Sequence, residues 1–173
     1  RALELTESFF WTFCDDYLEL VKERAHGGEG QAQASAVTAL RAALSAFARL
    51  FAPFLPYATE EVWSWFEAGS VHVAAWPEPA EARALAGDDA DPELLGLVGR
   101  ALIGVRGAKT AAKASQKTPV ELAVVHAPAA EAERLRLAAD DLAGVGRIAV
   151  LRIEAADVES VAVGEIRLAP TEA

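Results

Sequence analysis

The chain has 173 residues, a formal net charge of −10 and 53% hydrophobic residues, enough to bury a core and too apolar for wholesale disorder. A lone cysteine, Cys14, excludes an intramolecular disulfide framework and fits a reducing, cytoplasmic compartment. The acidic balance argues against a non-specific nucleic-acid binder, and charges interrupt every apolar run before the ~18 residues of a membrane span.

The sequence contains no Met and begins at Arg1, so it is expected to be a piece of a longer protein. Alanine occurs 39 times and Arg outnumbers Lys 12 to 4, a bias attributed to the source genome rather than to function. Nothing at the start has the form of a secretory signal.

Residues 3–24 read as one amphipathic helix, with Leu3, Phe10, Phe13, Tyr17, Leu20 and Val21 recurring at near-helical spacing. The aromatics Phe9, Phe10, Trp11, Phe13 and Tyr17 crowd this segment, and Gly27, Gly28 and Gly30 are expected to end it. Ser35 is a candidate cap for a second helix carrying Val37, Leu40, Leu44, Phe47, Leu50 and Phe51. Pro53 and Pro56 break that helix. Thr59 is a candidate cap for a third helix with Val62, Trp63, Trp65 and Phe66, stopped at Gly69. Three helices with short connections predict a bundle over 1–69.

Residues 70–91 read as a linker, with Trp76-Pro77-Glu78-Pro79 non-helical and Gly87-Asp88-Asp89 turn-forming. Val71-His72-Val73 is expected to pack back on the bundle. Asp91-Pro92-Glu93 then spells a helix start, and the helix is expected to run to about Ala114. Its apolar positions include Leu95, Val98, Leu102 and Val105. Arg106, Lys109 and Lys113 follow at spacings of three and four, which predicts one shared basic face. Residues 121–126 read as a strand, 128–140 as a short helix, 147–152 as a buried strand, and 158–168 as a strand or hairpin with a turn or bulge at Gly164. Residues 92–173 are therefore expected to form a helix plus a small α+β domain.

Charge is unevenly spread. Residues 1–99 carry 16 acids and 6 bases, and residues 118–173 carry 10 acids and 5 bases. Between them Arg100, Arg106, Lys109, Lys113 and Lys117 stand with no acid, a net of +5. Such a segment can meet a polyanion, although a solvated helix face gives the same pattern.

No catalytic constellation is visible. His26, His72, His126 and Cys14 lack metal-ligand spacing. Acids flanking Cys14 would raise rather than lower a thiol pKa. The pairs Asp15/Asp16 and Asp88/Asp89 suit solvated faces and caps. The Gly27-Gly28-Glu29-Gly30 run has no preceding strand and fails the context of a dinucleotide loop. Aromatic and basic surface remains, which is what single-stranded RNA requires.

The run Phe10-Trp11-Thr12-Phe13-Cys14-Asp15-Asp16-Tyr17-Leu18-Glu19-Leu20-Val21-Lys22 resembles the opening helix of the valyl-tRNA synthetase anticodon-binding domain. Leu50-Phe51-Ala52-Pro53-Phe54-Leu55-Pro56-Tyr57-Ala58-Thr59-Glu60-Glu61-Val62-Trp63, and then Ser70-Val71-His72 and Trp76-Pro77, are similar to segments shared by the valine, isoleucine and leucine group of class I synthetases. The Phe13-Cys14-Asp15 triplet points to valine. Past Pro119 the resemblance is one of layout. The class I HIGH and KMSKS signatures are absent, and Lys113-Ala114-Ser115-Gln116-Lys117 resembles the second only superficially.

This resemblance implies an α-helical bundle of anticodon-binding type followed by a small α+β domain. It implies a non-catalytic fragment with no metal and no cofactor of its own, ATP and Mg²⁺ being used elsewhere in the parent. Its partners would be valine tRNA and the parent's catalytic and editing domains, with no membrane. Phe10 or Trp11 would stack on unpaired bases, Lys22 and Arg24 would meet phosphate near the Gly-rich loop, and Arg106, Lys109 and Lys113 would meet the stem or tRNA corner. Two alternatives stand beside it: the equivalent isoleucyl-tRNA synthetase domain, and a helical protein-interaction module with no RNA role.

Overall fold

Helix-forming, alanine-rich sequence dominates the first half of the chain, and β-branched residues gather after Pro119. The computed structural model follows that division and describes residues 1–27, 29–88 and 90–170. The chain forms two compact units, Arg1–Ala90 and Asp91–Ala173.

In the first unit, α1 (Ala2–Thr12) continues through a π-helical turn (Phe13–Leu18) into α2 (Glu19–Gly27). The single helix expected over 3–24 is thus real but not uniformly α. Helix α3 (Gly30–Phe51) begins five residues before Ser35, with Glu29 at its N-cap position. Ser35 is therefore an interior helical residue, not a cap. Helix α4 (Pro56–Ser64) starts at its proline, whose fixed φ and missing N–H suit a first turn. Thr59 is buried within α4, and its hydroxyl donates to the Leu55 carbonyl at 2.9 Å instead of capping.

Phe47 anchors the aromatic core. Its ring lies 5.2 Å from Phe10 and 5.4 Å from Phe13, both edge-on, and 5.6 Å from the tilted ring of Phe9, and edge-on aromatic contacts add to simple area burial. A second cluster joins Ala48, Ala52, Trp63 and Val71. Val71 belongs to a 3-10 turn (Val71–Val73), so this segment does pack back as expected. The Glu60 carboxylate fixes it by accepting from the Ser70 hydroxyl and the Val71 amide.

The stretch read as a linker holds a further helix, α5 (Pro79–Ala86). Pro79 stands at its first turn, and Glu81 accepts from the Glu78 backbone amide at 3.1 Å. Arg49 of α3 grips Glu81 through two hydrogen bonds of 3.1 and 2.7 Å. Helix α3 also corrects the reading of apolar runs. By length and composition it is long and apolar enough to cross a membrane. Its alanines raise hydropathy while only Arg41 and Arg49 interrupt its 22 residues. Its Phe47–Ala48 face is buried in the bundle core.

The second unit opens with α6 (Leu94–Ala111), which has Glu93 rather than Asp91 at its N-cap position, starts two residues after the expected first-turn Pro92 and ends three residues before Ala114. Strand β1 (Val120–Ala127) leads to α7 (Ala129–Arg136) and α8 (Ala139–Gly146). The one helix expected over 128–140 is thus two, and Gly144-Val145-Gly146 belongs to α8 rather than to a turn. The turn is made by Arg147 in the left-handed conformation. Strands β2 (Ile148–Ala155) and β3 (Ala162–Leu168) complete a three-stranded sheet of order β2-β1-β3. β2 runs parallel to β1 and β3 antiparallel.

Between the pairs Ala123–Ile166 and Val125–Val163, β3 has one extra residue, which places Gly164 in a bulge. A Cβ there would stand 2.9 Å from the His126 ring. Val105, Val120, Ala123 and Ile148 form the core between α6 and the sheet. The chain is therefore an α-helical bundle followed by a small α+β unit.

Candidate nucleic-acid interface

In the first unit the expected stacking residues part company. Phe10 is half-buried and packs edge-on against Phe47 and Phe51 at 5.2 and 5.5 Å. Trp11, one position on, is 59% exposed. The ~100° step between helical neighbours explains the split: Phe10 faces the core and Trp11 the solvent. Both border an apolar groove of about 320 Å³ whose walls include Leu44, Phe51, Leu55 and Val62. Trp11 therefore offers a free ring face beside an apolar recess.

Lys22 is half-buried and ion-paired to Glu19 one turn earlier. Arg24 is half-buried and also partnered. Of the Gly-rich loop, Gly28 lies outside the described residues, as does Asp89 of the Asp88/Asp89 pair. Burial first, and the Asp15 charge second, push the Cys14 thiol up, which keeps it protonated and unreactive.

The second unit separates the residues expected on one basic face. Arg106 is exposed on α6. Lys109 is only 2% exposed, and its ammonium donates to the Gly146 carbonyl at 2.9 Å and to the Gln116 carbonyl at 3.1 Å. Its pKa is lowered from the ordinary value, by burial first and then by the charges of Arg147 and Arg106. Lys109 thus points inward and is removed from the surface stripe. Lys113 lies beyond the end of α6, exposed and at φ 55°.

Spacing alone could not show what Lys109 organises. Its two carbonyl partners tie the loop after α6 to the end of α8. Arg147, next after Gly146, donates to the Lys117 carbonyl at 3.3 Å. The Gln116 amide donates to the Arg106 carbonyl at 3.2 Å. Arg106, Lys117 and Arg147 are so brought to one corner with Lys113, and all four are exposed. None has a carboxylate partner among the described residues; of the unit's other arginines, Arg100, Arg134, Arg136 and Arg167 are ion-paired and Arg152 on β2 is not. Sequence reading missed Arg147, which falls outside the basic window. Its position one residue past a helix ending in glycine was the available signal.

Comparison with known proteins bears on both units. Residues 1–124 match the family described as the anticodon-binding domain of tRNA ligase. A valine–tRNA ligase of Leifsonia xyli is 63% identical over 90% of the chain and 18% of its own length. One from Thermobifida fusca is 52% identical over 99% of the chain and 19% of its own length. One from Salinispora tropica is 41% identical over 97% of the chain and 21% of its own length. The chain spans about a fifth of the length of these curated relatives.

Proposed function

The chain belongs to the family of anticodon-binding domains of tRNA ligases, and from that premise we propose that it holds the anticodon arm of a valine tRNA in the cytoplasm. The observation that carries the reading is the family correspondence over residues 1–124, which spans the whole helical unit. Valine is favoured over isoleucine because the relatives from Leifsonia, Thermobifida and Salinispora are valine–tRNA ligases.

On this reading an unstacked anticodon base lies on the exposed ring of Trp11. Phe10 supports that ring from the core side, 5.4 Å away and edge-on. Lys22 and Arg24 supply charge on the same helical run, and Arg106 and Lys113 meet phosphates elsewhere on the tRNA. Lys109 is not among the phosphate contacts, because its ammonium is spent inside the fold. Charging of the tRNA, with its ATP and Mg²⁺, is the task of the parent's other domains. Among the described residues here, no group of three or more His, Cys, Asp or Glu converges to hold a metal ion.

The test is a low-salt titration of the chain with valine tRNA, the same tRNA with its anticodon exchanged, and isoleucine tRNA. Preference for the valine anticodon is expected. Trp11→Ala should cost about 1–3 kcal/mol of binding, the range for one base–aromatic stack. No binding to any of the three by a folded chain would overturn the reading, and would leave the apolar groove beside Trp11 as a surface for protein.

A further inference from the structure

We propose that the second unit carries its own RNA-phosphate site, formed by Arg106, Lys113, Lys117 and Arg147 and held in shape by the buried Lys109. The proposal rests on the tRNA reading above and extends it beyond the family match, which ends at residue 124. Arg147 lies outside that stretch.

Three observations converge. The first is convergence in space. The end of α6, the loop after it and the turn after α8 meet around the Lys109 ammonium, which donates to Gln116 at 3.1 Å and Gly146 at 2.9 Å. The Val120 amide donates to the Arg147 carbonyl at 2.8 Å, so β1 fixes the same turn. The second is charge. Arg106 and Arg147 lie near enough to the buried Lys109 for their charges to act on it, Lys113 and Lys117 stand on the loop between them, and none of the four exposed cations has a carboxylate partner among the described residues. Helices α6 and α8 both end here, and each C-terminus contributes only about −0.5 of a charge. The corner therefore stays positive in a chain of net charge −10.

The third is backbone conformation. Lys113 at φ 55° and Arg147 at φ 53° are the two non-glycine residues with positive φ among those described. Left-handed positions ending a helix usually go to glycine or asparagine. Both here carry cations, at the cost of the Cβ clash. A solvated helix face needs neither the strained backbone nor the buried lysine. They hold in place a cluster of exposed cations, and a polyanion whose phosphates are spaced along a chain matches that cluster. Phosphate contacts fix register and carry no sequence information, so the site should position any tRNA alike. Lys109 acts as a positioning residue, not as a contact.

The experiment uses the whole 173-residue chain, with valine tRNA and its anticodon-exchanged copy titrated across a salt series. The principal variant combines Lys117→Ala with Arg147→Gly, glycine being free to keep the left-handed backbone. Thermal melting checks that each variant is folded. The expected result is a log K against log salt slope shallower by about two, at ~0.9 for each duplex phosphate no longer neutralised, and affinity weaker by about tenfold at low salt. The weakening should be equal for both tRNAs, and anticodon preference should survive.

Folded Lys109→Met should flatten the slope too, although it removes no exposed charge. An unchanged slope in the folded double variant, with anticodon preference intact, would overturn the site and leave the anticodon reading standing. A flattened slope without anticodon preference would support the site and overturn that reading. Failure of the unaltered chain to bind either tRNA would overturn both. Binding of polyglutamate that the double variant abolishes, with tRNA binding unaffected, would assign the corner to an acidic protein and overturn the RNA site.

Discussion

Lys109 shows what one side chain can hide from a sequence reader. Its spacing from Arg106 and Lys113 put the three on one face, yet Val98, Leu102, Val105 and Lys109 also recur at four, three and four. That second series is the buried stripe of α6, with Val98, Leu102, Val105 and Lys109 each at most 2% exposed. The apolar period was the stronger signal, and chemical type obscured it. A lysine whose folded pKa is lowered binds fewer protons than its unfolded counterpart up to the ordinary value of 10.5. Stability should therefore rise with pH through the folded pKa and level off near 10.5, the sign that linkage requires. Urea melts across the alkaline range should show that rise in the native chain and lose it in Lys109→Met. Lys109→Ala should destabilise by about 2–4 kcal/mol, since it orphans two carbonyls and opens a cavity. In the first unit, Phe47→Ala should cost about 3–5 kcal/mol through the aromatic cluster it leaves. Trp11→Ala should cost well under about 1 kcal/mol of stability, because a mostly exposed side chain has little packing to lose.

Elements dock through a few close contacts. Helix α6 meets β3 where Gly104 faces Val163, and a Cβ at Gly104 would stand 2.6 Å from the Val163 Cγ2. Gly104→Ala should destabilise the second unit by about 1–3 kcal/mol by forcing the helix off the strand, measurable by denaturant melts. Helix α5 is joined to α3 by Arg49 and Glu81. The Arg49 guanidinium foremost, with the Glu78 amide, lowers the Glu81 pKa to about 2 from its ordinary 4.5. A depressed carboxylate contributes stability above its unfolded pKa and loses it as pH falls through the folded one. The α5 contact should thus weaken between about pH 4.5 and 2, and Glu81→Gln should flatten acid melts in that window. Helix α5 was legible in principle. Glu78-Pro79 followed by Glu81 has the same logic as Asp91-Pro92-Glu93, which was read as a helix start. Two prolines in Trp76-Pro77-Glu78-Pro79 drew attention to what cannot be helical, and away from the first-turn position that proline favours. The break between α7 and α8 had no such marker, since Leu137 and Ala138 are ordinary helix formers.

At the scale of the molecule, the two units differ in electrostatic character. Residues 1–90 carry 14 acids and 6 bases, and residues 91–173 carry 12 acids and 10 bases. An anticodon loop meeting the first unit gains little from long-range attraction, so affinity there must come from stacking and short hydrogen bonds. The second unit is near balance overall, with four exposed cations that lack a carboxylate partner gathered in one corner and Arg152 apart from them on β2. Trp11→Ala should therefore weaken tRNA binding at every salt concentration by a similar factor. Substitutions at Lys117 and Arg147 should instead change the salt slope. Parallel salt titrations of the two variants make that separation visible. The bundle and the α+β layout were readable because apolar periodicity survives any surface charge. The basic corner was not, because it forms only when the loop after α6 and the turn after α8 meet.

The π-helical turn at Phe13–Leu18 has a bearing on how this sequence can change in length. Such a turn is equivalent to an α-helix that has accepted one extra residue. Removing any one residue between Phe13 and Leu18 would let the backbone relax into plain α geometry with its hydrogen bonds intact. Because the extra residue is absorbed within that one turn, the helix downstream would keep nearly the same facing. Leu20 and Val21, 6% and 2% exposed, would stay in the core, and Lys22 and Arg24 would keep their side relative to Trp11. A single-codon deletion here should therefore be tolerated, while the same deletion in the plain helix of α1 should be severe, since each residue lost there turns the chain by ~100°; the segment is a slack turn in the length of the helix more than a source of chemistry.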